Sequence, residues 1–597
     1  MSKPPISYTG RDFESIKRSL VNYTKRYYAN SYKDFNEASF GALMLDLVSY
    51  VGDQLSFYTD YQANESFLDS AMEIENVSRI AKQMGFKAQG APSSTGACDF
   101  FVMVPASTTT SGPNSSYIPI LKQGSVVSAD GGAVFTLIED VDFTNAKNEI
   151  TVARVDSDTG VPTWFAIKAT GTIISGLQYE EDIEVGDYQR FLRLEMAASN
   201  VTEILSIEDT QGKDYYKVDF LTQDVVVSMK PNRGDNRDLV PYIMKVTPAP
   251  RRFVTEYDAA GRVSLQFGYG SSDNLTTNLV ADPADVTLEM SGRKYISDTT
   301  FDPSNLIKTD KFGIIPENTT LTVRYRGNSS TTINAAVGAV NSVDGAEMTF
   351  RNRPSLNASD VSEVIGSLEA GNSEPILGNT EALTASEIKT RAYASFASQN
   401  RAVTREDYMS LAYRMPSSFG RIKRVNIVQD PRSTTRNLNM YILAEGINGE
   451  FAAATTQLKN NLKVWLGRYK MMNDTVDILD GKIINYGIEF EVVADSGTNK
   501  YEVLRACSDR LSENFLAVSK IMGEPIHLTE IYKMLNDVPG VVDTASVKLT
   551  SKTGGSYSDY HFDMIENLSE DGRYLVVPQN AVADVRFPSQ DIQGVIR

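Results

Sequence analysis

The sequence predicts a multidomain α+β protein. It has an N-terminal helical region, β-rich middle domains, a helical segment and a C-terminal α+β domain of split βαβ (ferredoxin-like) character. Three observations predict this. Apolar residues recur at helical spacing through residues 40–58, period-two alternation dominates from about residue 98 to 350, and strand and helix patterns alternate from about residue 425. A chain of 597 residues also exceeds what one core serves. The expected divisions are 1–90, 91–247, 248–352, 353–425, 426–550 and 551–597. The last of these is expected to be extended.

In the first region Phe40, Leu43, Met44, Leu47, Val51, Leu55 and Tyr58 share one side of about five helical turns. Gly41 and Gly52 weaken that helix, so packing must hold it. A second helix is expected from Asp69–Ser70, burying Met72, Val77, Ile80 and Met84, with Gly85 as its left-handed cap. AQGAPSSTGA (88–97) reads as a linker.

The middle carries half-buried strands. Leu192, Leu194 and Met196 alternate with polar residues, as do Leu321, Val323 and Tyr325 with Thr322, Arg324 and Arg326. A domain break is expected at PAPRR (248–252). The helix 385–399 follows, then one opening at Thr404, where Asp407 completes a capping box and Glu406 adds charge at the positive helix end. Further on, strand 438–444 precedes a helix burying Leu458, Leu462, Trp465 and Tyr469. Strand 488–494 precedes one burying Leu504, Cys507, Leu511 and Phe515. A helix from Thr529 and a strand 541–549 complete the succession.

Composition narrows the function. With 58 Lys+Arg against 76 Asp+Glu, the net charge of −18 argues against nucleic-acid binding and favours basic protein surfaces. Cys98 and Cys507 form no disulfide framework, so a reducing compartment is expected. The opening MSKPPISYTGRDFESIKRSL lacks the apolar core of a secretory signal. Asp46, Asp53 and Asp60 interrupt the most hydrophobic helix, so no membrane span is expected.

Chemistry is poorly supplied. His527 and His561 with no cysteine pair make a zinc site improbable, and His527 reads as a hydrogen-bonded structural residue before a helix. Cys507 reads as a core residue. FGYGSSDN (267–274) lacks the third glycine and following helix of a dinucleotide loop, so it reads as a glycine-rich turn. The aspartate stripe reads as solvated or partner-facing, and Glu180, Glu181, Asp182 and Glu184 as a loop. Arg401, Arg405, Arg414, Arg421, Lys423 and Arg424 form a basic cluster, either a solvated helix end or a dock for an acidic neighbour. No catalytic, cofactor or metal site is expected.

Several stretches carry a family likeness, among them FGALMLDLVSYVGDQLSFYTDYQANESFLDSA (40–71) continuing to 79–94, LQFGYGSSDN (265–274) with 321–334, and ASQNRAVTREDYMSLAYRMPSSFGRIKRVNIVQD (397–430) continuing through 458–490 and 532–549. With them the chain resembles the baseplate J-like family, and within it the large wedge subunits of T4-like contractile-tailed bacteriophages. Gly268 and Gly270 of the FG-x-G turn, and Thr404, Asp407 and Tyr408, match the family's structural motifs. Ser271, Ser272 and Asp273 depart from the glycine and proline that often follow that turn. The resemblance implies a non-enzymatic virion protein, assembled in the host cytoplasm into a ring around the tail tube. Its implied partners are other copies of itself, other wedge proteins, and tail-tube or sheath-initiating proteins. Phe40, Leu43, Met44, Leu47, Val51 and Leu55 would then face neighbouring chains. By pattern alone they could equally line an intrachain core. The alternatives are the plate protein of a bacterial contractile injection machine and a carbohydrate-binding or carbohydrate-processing tail protein. The latter needs a cleft with opposed carboxylates.

Overall fold

The computed structural model describes residues 12–28, 30, 35–36, 39–86, 90–107, 112–145, 147–231, 242–257, 262–270, 312–328, 333–380, 383–430, 437–517 and 520–597. It is multidomain α+β with helices first, β-rich sheets in the middle and an α+β region at the end. Cα packing divides it into two units, residues 1–86 with 383–396, and 87–382 with 397–597.

The first unit is helical. Helix α1 (Phe13–Tyr27) is capped by Asp12, whose carboxylate accepts from Ser15. Helix α2 (Phe40–Glu65) is capped by Ser39, which accepts from the Ala42 N–H at 3.1 Å. Helix α3 (Ile74–Gln83) starts several residues later than expected. Met72 therefore lies in the irregular segment before the helix, 79% exposed instead of buried. Gly85 has the positive φ (90°) expected of a helix stop. A small core of Leu68, Ala71, Val77, Ala81 and Phe86 takes in Ile388 and Ala392 from the helix Ala385–Ser398.

The second unit begins with a seven-stranded antiparallel sheet built around the pairing of Thr95–Pro105 with Pro162–Ser175. Its other strands include Val340–Gly345 and Glu369–Gly371, and helix Ala358–Gly366 adds Val361 and Val364 to its core. Residues expected in a second domain and in a linker are thus parts of one fold. Another seven-stranded sheet joins Leu177–Val185, Thr319–Gly327, Val201–Asp209, Asp214–Lys217, Arg252–Tyr257, Val263–Phe267 and Arg193–Glu195. Asp214–Lys217 pairs in parallel with Arg252–Tyr257, so the sheet runs through the break expected at 248–252. The acidic run is not a loop. It forms strand Leu177–Val185, where Glu180 pairs with Arg324 at 2.7 Å and Asp182 accepts from Thr322. Arg326, whose place in the alternation suggested a polar face, is buried and paired with Glu203 at 3.0 Å.

The C-terminal region holds the expected β-α-β succession. Asn437–Glu445 and Thr475–Asp480 are parallel, connected through helix Thr456–Leu466. Lys482–Ala494 pairs with Val541–Ser551, and helices Lys500–Ala517 and Leu528–Asn536 cover the core. The last forty residues are not merely extended. Ala581–Asp584 and Ile592–Ile596 add two parallel strands to Lys482–Ala494.

The described part of the expected linker is a buried polar junction. Ser93 and Ser94 are fully buried, with Ser93 Oγ donating to the Ser417 carbonyl. Ser94 Oγ donates to Asn334 Oδ1 at 2.5 Å, and Asn334 Nδ2 donates to the Glu445 and Gly446 carbonyls at 3.4 Å. Buried polar groups keep their place only when partnered. This cluster therefore ties together segments more than 100 residues apart in sequence. Asn334→Ala leaves several buried groups unpaired and is expected to cost about 2–3 kcal/mol. A denaturation midpoint unchanged from the parent would contradict the role given to this junction.

Candidate assembly interface

Helix α2 has two dissimilar sides. At 3.6 residues per turn, Ala42, Ser49, Gly52 and Ser56 share one side, and this small-residue side meets α1. A Cβ on Gly52 would sit 3.3 Å from the Ile16 side chain, so glycine permits the close approach. Lys17 of α1 pairs with Asp46 at 2.7 Å. That engages one member of the aspartate stripe within the chain; Asp53 is half-buried and Asp60 exposed.

The other side is uncovered. Phe40, Leu43, Met44, Leu47, Val51 and Leu55 are each 44–74% exposed, and Val48, Tyr50, Phe57 and Tyr58 are exposed beside them. By the helical repeat, these ten residues span roughly half the circumference of α2. No residue of α1 is buried, and only Ala42, Ser49 and Glu65 of α2 are. Burial of a large apolar side chain is worth about 1.5–3 kcal/mol, so this side favours a partner strongly.

A single carboxylate holds the far end of α2. Glu65, itself buried, accepts from the Met72 N–H at 2.7 Å, the Glu73 N–H at 3.3 Å and Asn76 Nδ2 at 3.0 Å. These donors, the Met72 amide first, hold its carboxyl below the usual glutamate range. Nothing in the spacing of apolar residues signals this latch.

The basic cluster is largely engaged inside the second unit. Arg405 donates to Asn426 Oδ1 at 3.2 Å and Arg414 to Asn400 Oδ1 at 2.7 Å. Arg421 donates to the Gly90 carbonyl, Lys423 to that of Gly449, and Arg424 to those of Lys520 and Lys423. Lys423 also pairs with Glu445 at 3.4 Å. Arg421, Lys423 and Arg424 are half-buried, while Arg401 is exposed.

The motif residues are structural. Thr404 Oγ1 accepts from the Asp407 N–H at 3.2 Å, and Asp407 accepts from the Thr404 N–H at 2.8 Å, closing the capping box. Tyr408 is buried and donates to Asp474 at 2.8 Å. A Cβ on Gly268 would lie 2.0 Å from the Phe312 carbonyl oxygen, so the backbone there must be glycine. The Gly270 N–H donates to the Gly313 carbonyl at 2.9 Å. Ser271, Ser272 and Asp273 lie outside the described residues.

Among the described residues the cysteines and His527 do not come together. Cys98 and Cys507 are both buried, and burial pushes the Cys98 thiol up to about 12. His527 precedes its helix but makes no capping bond and lies exposed near Tyr574, 5.9 Å from ring to ring. Among the described residues no cluster of three His, Cys, Asp or Glu could hold a metal, and no helix is long and apolar enough to cross a membrane.

Residues 12–83 match the family model for the bacteriophage baseplate protein N-terminal domain. This segment is similar to a phage baseplate domain. The match runs from the cap of α1 to the last residue of α3, so it covers the helix with the open side. No curated protein matches the chain. The cryo-EM structure of the anti-feeding prophage baseplate aligns over 95% of this chain and 90% of its own, at 9% identity and a TM-score of 0.25. That of a type VI secretion system baseplate subcomplex aligns over 72% and 96%, at 8% identity and 0.24. Scores this low establish no shared fold.

Glu65 yields a pH test. Its lowered pKa means that its stabilisation is complete above the unfolded value of about 4.3 and is lost as pH falls through the folded value. Exchange at the Met72 and Glu73 amides, corrected for intrinsic rates, is expected to accelerate in that acid window, and Glu65→Gln to remove the dependence. Identical profiles for both proteins would contradict the latch.

Proposed function

We propose that this chain is a structural subunit of a contractile-tail baseplate, joined to its neighbours through the open side of α2. The observation that carries the reading is the coincidence of the baseplate family match with a long helix whose apolar side lies uncovered. The finer reading is a wedge subunit of a phage tail, linking wedges into a ring around the tube by self-association and by binding other wedge proteins. The role is scaffolding and non-enzymatic, and the site of action is the virion tail, after assembly in the host cytoplasm.

Physical chemistry supports an interface over a packing defect. The exposed residues are contiguous along α2, whereas scattered surface apolar residues carry no such meaning. Helix formation in an isolated pair is marginal without a buried face, so association and ordering of α2 reinforce each other.

Leu47 is 57% exposed, so Leu47→Asp is expected to leave the fold of the free chain intact. The same change places a charge in the centre of the seam. Sedimentation of the purified chain, alone and with baseplate partner subunits, is expected to show association that Leu47→Asp abolishes while circular dichroism stays unchanged. A parent chain that remains monomeric and binds none of those partners would end this reading.

A further inference from the structure

One turn of the second unit sets an unheld asparagine beside a bare backbone amide. Strands Asn437–Glu445 and Phe451–Ala453 pair antiparallel, and the turn between them carries Asn448–Gly449, the one Asn-Gly pair in the sequence. The Gly446 N–H closes the turn by donating to the Glu450 carbonyl at 2.8 Å. Gly449 lies in the left-handed region at φ 82°, which glycine adopts without strain.

Both groups that could react are uncovered. Asn448 is exposed, and its carboxamide has no hydrogen-bond partner among the described residues. Its backbone N–H donates to Glu450 at 2.9 Å, which holds the main chain and leaves the side chain to turn. The Gly449 N–H has only a long 3.4 Å contact with the Gly446 carbonyl, and glycine brings no Cβ to shield it.

Four asparagines that precede serine are held by contrast. Asn114 Oδ1 accepts from the Ser116 N–H at 3.1 Å, and Asn328 Nδ2 donates to the Pro92 carbonyl at 2.9 Å. Asn341 Nδ2 donates to Asp130 at 2.7 Å, and Asn372 Nδ2 to the Ala336 and Glu374 carbonyls at 2.7 and 2.8 Å. Each of these bonds must break before the carboxamide can meet the amide that follows it.

We propose that Asn448–Gly449 is a site of spontaneous covalent modification, at which the Gly449 nitrogen displaces the side-chain amide of Asn448. Hydroxide removes the Gly449 N–H proton, the nitrogen bonds to Asn448 Cγ, and the Cγ–Nδ2 bond breaks. The leaving nitrogen takes a proton from water and departs as ammonia. Water then opens the cyclic imide at either carbonyl, giving aspartate or isoaspartate.

The position gives the change a consequence. Isoaspartate adds one carbon to the main chain of a turn that starts beside the buried junction. The Glu445 and Gly446 carbonyls that accept from Asn334 lie at the start of that turn. The far side of the turn is held as well, by Lys423 Nζ donating to the Gly449 carbonyl. A lengthened turn shifts these carbonyls and loosens the hold on Asn334.

Incubation of the full chain at mildly alkaline pH, followed by peptide mapping and isoaspartyl methyltransferase labelling, tests the site. The Asn448 peptide is expected to gain about one dalton and to accept methyl groups before any peptide of Asn114, Asn328, Asn341 or Asn372 changes. Asn448→Gln is expected to lose that signal. An unaltered Asn448 peptide, or earlier change at any of the four held asparagines, would overturn the site. The isoaspartate form, isolated by chromatography, is expected to show a lower denaturation midpoint than both the parent and Asn448→Asp. That difference is expected to shrink in the Asn334→Ala background. Equal midpoints, or an undiminished difference in Asn334→Ala, would overturn the link to the junction.

Discussion

A helix can pack closely on one neighbour only by presenting small residues there, and α2 does so with Ala42, Ser49 and Gly52. The consequence is displacement of bulk to the opposite side. Phe40, Leu43, Leu47, Val51 and Leu55 then have no partner in α1, which buries none of its own residues. The exposed side is thus tied to the α1–α2 contact itself: one surface is closed because the other is open.

The second unit obeys a different constraint. Its sheets draw strands from distant parts of the sequence, so their junctions need fixing by more than apolar burial. Ser94, Asn334 and the Glu445 and Gly446 carbonyls do this through directional bonds in a buried setting. Gly268 does it through backbone approach to Phe312. Directional bonds of this kind rigidify a buried junction and specify a single arrangement of the strands around it.

Much of this was legible in the sequence, and the failures have physical causes. Helical spacing revealed α2, and side-chain chemistry revealed the Thr404–Asp407 capping box, because both are local signals. Periodicity also placed Leu458, Leu462, Cys507 and Leu511 inside. It could not say whether Leu43 and Leu47 face a core or a neighbour, since both demand the same pattern. Serines 93 and 94 resembled a linker because composition does not show burial. The acidic run resembled a loop because Arg324 and Thr322, which partner it, lie some 140 residues away. Arg421, Lys423 and Arg424 looked like a free basic patch for the same reason: carbonyl acceptors are invisible in sequence.

The central claim is that neighbouring subunits cover the open side of α2. Hydroxyl-radical footprinting of Met44 compares the dilute chain with the chain assembled alongside baseplate subunits. The account predicts strong labelling of Met44 in the dilute chain and protection in the assembly. Equal labelling in both states would contradict it.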